Sequence, residues 1–386
     1  MILLEVGYKK DLITDFLEMP VAIYANYPTW IRPLNQDIEA IFDPKQNKLF
    51  RGGSSAVRWV LYNDSKVCIG RIAAFINSKT SEKEVVPTGG IGFFECIDNA
   101  EAAKLLFDVA IDWLKQNKMQ AVDGPINFGD RDRWWGLLID GDYPPNYSCN
   151  YNPPYYKALF EGYGFQTYFK QYTYYRSLTK PLEQSVFDRA QRIKSTPGIV
   201  FEHLRKKNLK KYTEDFRVVY NKAWVKHGVP EMTKSMATGL MKKLSPVMDE
   251  RIIWFGYQND EPVAFLVALP ELNQIFKHLN GNLNWLGKIK FLYHKLAGTN
   301  KKMLGLVFGV VPEWHGKGME SALIIAVGEK LLKGYVPYSE LEMNWIGDFN
   351  PKMMRVAENT GAEIKKVHAT YRLFFDGRPV EYHPVL

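Results

Sequence analysis

Three cysteines in 386 residues, Cys68, Cys96 and Cys149, leave little scope for covalent or metal bracing. Their spacing matches neither a zinc pattern nor a disulfide framework, so no metal is expected and the thiols read as reduced. An apolar run of about 18 residues is also missing, which argues against a transmembrane helix. The opening MILLEVGYKK is too short for a signal-peptide core, and with the reduced thiols it points to a cytoplasmic location. Aromatic residues make up 14% of the chain but are scattered, without an RNA-recognition pattern, so the net charge of +8 is not read as a nucleic-acid signal. Acid is missing locally: residues 274–302 hold six lysines and no carboxylate.

What is present is ordinary globular composition, 46% hydrophobic and 24% charged. The length suits two domains of about 150–200 residues each. Residues 303–335 read MLGLVFGVVPEWHGKGMESALIIAVGEKLLKGY: an apolar strand, a loop containing His-Gly-Lys-Gly, then a helix. Such a strand–loop–helix points backbone N–H groups at the helix start, where the dipole favours negative charge. Gly316 and Gly318 open the backbone to a phosphate, and Lys317 adds a cation. Downstream, residues 338–346 alternate as a strand. Residues 350–361 then read as a helix capped by Asn350, with Pro351 in the first turn and Gly361 at the stop. A last strand, AEIKKVHATYRLFF, follows.

The N-terminal half repeats this order. VRWVLYNDSKVCIGRIAAFIN and RIIWFGYQNDEPVAFLVAL each read as two strands around an Asn-Asp turn. Each is followed by a strand, a helix, a strand and an Asn-Pro helix, NPPYYKALFEGYGF from Asn152 and NPKMMRVAENTGA from Asn350.

The strand–loop–helix resembles the coenzyme A pyrophosphate loop of the GNAT superfamily of N-acetyltransferases, with signature Q/R-x-x-G-x-G/A. Aligned on Gly318, the chain departs from it at His315 in the first position and Glu320 in the last. The doubled order implies an α/β (α+β) fold of two tandem GNAT-like domains, each a mixed, strongly twisted sheet flanked by helices. They would span residues 1–178 and 198–386, and GPxNF and YNPPYY occur in the same order in uncharacterised bacterial tandem GNAT-like proteins. The resemblance implies acetyl-CoA or another acyl-CoA as co-substrate, held by Val310, Val311, His315, Gly316, Lys317, Gly318, Met319 and Asn350, and a small-molecule or peptide amine as acceptor. Glu340, Glu342 and Glu313 are alternative bases for that amine; the position of the family's thiolate-protonating Tyr holds Ala357. In the N-terminal half, Glu95, Asp98 and Glu101 occupy the phosphate-loop region and Phe160 the Tyr position, which implies a degenerate domain.

Two insertions remain. In residues 124–156, Arg133, Trp134, Tyr155 and Tyr156 are candidate substrate-pocket residues, with His227 from the second half; the alternative is a loop packed by its own aromatics. Residues 274–302 interleave lysine with Phe, Trp, Leu and Tyr. A lid over the substrate cleft with lysines outward is favoured over a segment lying on an anionic membrane. Functionally, an N-acyltransferase leads. Its alternatives are a FemABX-like aminoacyl or long-chain acyl transferase and an inactive ligand-binding protein.

Overall fold

The computed structural model describes residues 1–81, 85–194, 196–224, 231–332 and 334–382. His227 lies outside them.

The first half runs β1 (Ile2–Glu5), α1 (Lys10–Ile23), α2 (Asn35–Phe42), β2 (Ser55–Tyr62), β3 (Cys68–Ile76), β4 (Thr88–Cys96), α3 (Ala100–Gln116), β5 (Ala121–Gly124), β6 (Leu137–Asp140), α4 (Tyr156–Tyr163) and β7 (Gln166–Ser177). Helix α5 (Gln184–Lys194) links it to the second half. There β8 (Ile199–His203), α6 (Leu209–Trp224), α7 (Lys234–Leu244), β9 (Ile253–Gln258) and β10 (Glu261–Pro270) lead into α8 (Trp285–Leu296) and β11 (Lys302–Val310). Helix α9 (Met319–Leu332), β12 (Glu340–Met343), β13 (Ile346–Gly347), α10 (Pro351–Asn359) and β14 (Glu363–Phe374) complete the order. The result is a large mixed sheet flanked by helices, with the order of elements doubled.

Local chemistry accounts for several boundaries. Asn259 and Asp260 both adopt positive φ, 47° and 66°, so β9 and β10 join through the turn that best matches strand twist. The Asn350 side chain accepts from the Met353 N–H and Gly361 takes φ of 79°, which caps α10 at both ends. The matching Asn152 does something else. Its side-chain amide bonds both the N–H and the carbonyl of Leu138, at 2.7 and 3.0 Å. Helix α4 therefore starts only at Tyr156, with no side-chain cap.

The strands form one continuous sheet in the order β1-β2-β3-β4-β5-β14-β7-β12-β11-β10-β9-β8. Each half completes the other. Strand β7, from the first half, pairs antiparallel with β12 from Glu340↔Ser177 to Glu342↔Tyr175. Strand β14, from the end of the second half, pairs with β5 from Tyr371↔Gly124 to Phe374↔Ala121. The two exchanged strands also pair with each other, from Glu363↔Tyr175 to Arg372↔Gln166. Two main cores result. Leu106, Phe107 and Phe160 pack with Ala369 and Tyr371 of β14 in one, and Phe216, Phe255, Phe265 and Leu323 pack in the other. Among the described residues no helix is long and apolar enough to cross a membrane.

Candidate functional site

Strands β11 and β12 run parallel only from Lys302↔Glu340 to Gly305↔Met343. One further bond, Asn344 N–H to the Gly305 carbonyl at 2.7 Å, closes the ladder. Beyond it the strands part, because the chain after β12 turns to β7, where Ile346 pairs with Tyr172. At the parting point β11 carries a bulge: Val267 faces Val307 and Ala268 faces Gly305, leaving Leu306 as the extra residue. A bulge re-aims the backbone locally.

The gap opens into a cavity of about 640 Å³. Leu306, Val307 and Phe308 line one side and Trp345, Ile346 and Phe349 the other. Helix α9 supplies Ile324, Val327 and Leu331, helix α10 supplies Met353, Val356 and Ala357, and α6 supplies Tyr220 and Trp224. A space of this size with mainly apolar walls and a few polar groups fits an extended organic ligand. The charged side chains on its wall are Arg131, Arg176 and Lys180. Arg176 is already committed to the carbonyls of Lys180 and Pro181, both at 2.9 Å. Among the described lining residues there is no carboxylate and no histidine. Tyr220 is the one phenol there. It stacks on Trp224 at 5.0 Å, and burial raises its pKa, so it stays protonated at neutral pH.

The glycine loop lies at the head of α9. Gly316 and Gly318 both take positive φ, 71° and 97°. Gly316 stands open, with no atom within 4 Å of where a Cβ would be. Gly318 has a packing reason to be glycine: a Cβ there would sit 2.3 Å from the Arg189 carbonyl oxygen of α5. The amides of Gly316, Gly318, Met319, Glu320 and Ser321 donate to no acceptor among the described residues. They cluster where the helix dipole favours an anion. Lys317 lies 5.5 Å over the Trp314 ring, and exposed Arg192 starts beside the loop, its Cβ 3.7 Å from the missing Gly318 Cβ position. Arg192 falls between the two expected domains, 1–178 and 198–386, and is not among the expected coenzyme residues. The density of Arg in QSVFDRAQRIK was the available signal.

Other expected coenzyme residues sit differently. Val310 and Val311 are buried in the core, Val310 pairing with Ala264 and Val311 donating to the Val263 carbonyl at 2.9 Å. The Val310 carbonyl meets the His315 ring at 2.8 Å, so this histidine braces the loop against the strand. Asn350 and the middle of α9 face the cavity.

None of the three candidate bases lines it. Glu313 is exposed beside the loop, and Glu340 is half-buried at the start of β12. Glu342 is fully buried, with Lys302 Nζ and Lys366 Nζ each 2.6 Å from one of its oxygens. Burial alone would raise its pKa, but the two ammonium groups override this and hold it at about 2. That arrangement suits an ion cluster at the centre of the sheet.

The N-terminal counterpart is closed. Strands β4 and β5 also part after Gly90↔Asp123, but Pro125 and Ile126 enter the gap. The Ile126 N–H donates to the Ile91 carbonyl at 2.7 Å, and the Ile126 carbonyl lies 1.9 Å from where a Gly92 Cβ would be. Only about 60 Å³ remains nearby, lined by Arg71, Glu95, Trp134 and Tyr156 among others. The Tyr156 hydroxyl donates to Glu95 at 2.8 Å, and Tyr155 donates to the Cys96 carbonyl at 2.7 Å. Trp134 is buried against Phe93, while Arg133 is exposed. These four expected pocket residues thus gather away from the large cavity. From the same insertion it is Arg131 that reaches the cavity wall, its carbonyl accepting from Trp345 Nε1 at 3.1 Å.

No family model matches the chain. It is 25% identical over 362 residues to a protein named bacterial ceramide synthase from Caulobacter vibrioides, covering 92% of this chain and 93% of that one. It is 25% identical over 376 residues to protein YghO of Escherichia coli, covering 95% and 93%. Among solved structures, a tandem GNAT protein from the clavulanic acid biosynthesis pathway superposes with a TM-score of 0.56 at 10% identity, covering 98% of this chain and 99% of that one. The glucosamine N-acetyltransferase region of a fungal multidomain β-N-acetylglucosaminidase gives 0.57 at 12%, covering 96% of this chain but 38% of that one. The two superpositions show the fold alone, which this chain shares with GNAT structures, one of them a tandem GNAT protein.

Proposed function

We propose that this tandem GNAT-fold chain is an N-acyltransferase that moves a long acyl group from coenzyme A to an amine, with its site in the second half. The observation that carries the reading is the apolar cavity of about 640 Å³ at the parted strands. An acetyl group would leave most of it empty, whereas an alkyl chain gains about 0.8 kcal/mol for each methylene removed from water. The open amides of residues 316 and 318–321, with Lys317 and Arg192, support binding of the coenzyme's diphosphate. Helix α9 spans both places. Ile324 lies about 8 Å along it from Met319 and Leu331 about 18 Å, at 1.5 Å per residue.

In this reading the thioester carbonyl sits at the β11 bulge, where the Leu306 backbone polarises it. The neutral amine attacks the carbonyl carbon, the C–S bond breaks, and the thiolate takes a proton from Tyr220. The amine's proton leaves to water, since no described wall residue is a base, and a proton returned from water restores the Tyr220 phenol. Ceramide is the amide of a long-chain amino alcohol, and likeness to a ceramide synthase over nearly the full length favours an acceptor of that class.

The test is incubation with acetyl-, octanoyl- or palmitoyl-CoA and either a small polyamine, a peptide or a long-chain amino alcohol, with amides detected by mass spectrometry. Palmitoyl transfer to the amino alcohol is expected. Absence of thioester loss with every pair would overturn the reading.

A further inference from the structure

Helix α8 turns its apolar side away from the protein. Its inner face is formed by Gly287, Phe291 and His294, at i, i+4 and i+7. Phe291 packs on Phe276 with ring centroids 5.8 Å apart, and His294 stacks on His278 at 4.0 Å. On the opposite side Trp285, Leu286, Ile289, Leu292, Tyr293 and Leu296 stand in solvent, with exposures of 68, 50, 59, 54, 67 and 78%. At 3.6 residues per turn these six fill an arc of about 120° facing away from Gly287 and Phe291. Exposed Lys288 and Lys295 border the arc on one side and exposed Lys290 on the other. Lys295 also donates to the Pro246 carbonyl at 2.9 Å, which ties the helix to the segment after α7.

This is the reverse of an ordinary surface helix, which buries its apolar stripe and shows its charges. It also differs from the lid favoured on sequence grounds. No residue of α8 lines the large cavity, and its apolar side points outward together with the lysines.

We propose that α8 docks this protein on an anionic bilayer surface. Rings and aliphatic chains on the arc would enter the boundary between headgroups and acyl chains. The lysines on its borders would reach the lipid phosphates. Charge complementarity selects this occupant: Lys288, Lys290 and Lys295 on the helix are exposed, and residues 274–302 hold no acid, so nothing in the segment repels an anionic headgroup. The proposal rests on α8 alone and stands or falls separately from the acyl-transfer reading.

The experiment is sedimentation of the full chain with vesicles of phosphatidylcholine, alone or mixed with phosphatidylglycerol. Binding to the mixed vesicles is expected, weakening as salt is raised. The double variant Ile289→Glu, Leu292→Glu should abolish it. Lys288→Glu with Lys290→Glu should weaken it by about tenfold or more. All four side chains face solvent, so circular dichroism and melting should match the parent. Protein that stays in the supernatant with mixed vesicles overturns the proposal, as does binding unchanged by both double variants. Dimerisation in solution that is lost in Ile289→Glu, Leu292→Glu also overturns it, by assigning the face to a second copy.

Discussion

Glu342 lies fully buried between Lys302 on β11 and Lys366 on β14, so its charge state is coupled to the whole sheet. Its folded pKa of about 2 lies below the ordinary value near 4.3 for an unfolded glutamate. The stabilisation, on the order of 3 kcal/mol, is therefore complete above about pH 4.3 and is lost as pH falls toward 2. Glu342→Gln should cost about 3–5 kcal/mol at pH 7, because two buried ammonium groups then face each other unpaired. It should also flatten the acid limb of stability. Urea titrations at pH 7 and pH 3 check both. At the loop, Lys317→Glu and Arg192→Glu should each raise KM for acyl-CoA roughly tenfold with kcat little changed, since in the proposed reading both groups act on the bound diphosphate. Steady-state kinetics decides; unchanged KM in both would remove the coenzyme from this loop. The Gly-Lys-Gly step was legible in the sequence, as was Asn350 as a cap. The fate of Glu342 was not, because the lysines that claim it lie 40 and 24 residues away in sequence.

At the scale of elements, the exchange of β7 and β14 decides what can fold alone. Residues 1–178 alone expose one edge of β5 and both edges of β7, whose neighbours β14 and β12 belong to the second half, and they lose Ala369 and Tyr371 from the first core. Unpaired edges of that length invite aggregation. Fragments 1–178 and 198–386 should each elute as aggregates in size-exclusion chromatography when made separately. A well-dispersed monomer with native-like amide shifts from either fragment would contradict this. The order of strands and helices in both halves could be read from hydrophobic periodicity and Asn-Pro-Gly punctuation. Which strand completes which half could not, since neighbours in sequence are the default partners. The Asn152 reading went astray for a similar reason. A side chain suited to cap a helix met the backbone of β6 first.

For the whole molecule, duplication gives one open and one closed copy of the same cleft. The Pro125–Ile126 segment fills the first, and parted strands leave about 640 Å³ in the second. The carboxylates at the N-terminal loop set the two halves apart in the sequence, but the Pro125–Ile126 plug, and the apolar character and size of the open cavity, depend on side chains brought together from widely separated elements. Ala357 lies buried against that cavity, and the sequence showed only that a tyrosine was missing there. Calorimetric titration of palmitoyl-CoA and free CoA into the parent and into Ala357→Phe tests the central claim most directly. Palmitoyl-CoA should bind the parent at least about tenfold more tightly than CoA, because its chain is removed from water, and the variant should lose that advantage while still binding CoA. Equal affinity for the two ligands in the parent, or an advantage that survives Ala357→Phe, would contradict the account.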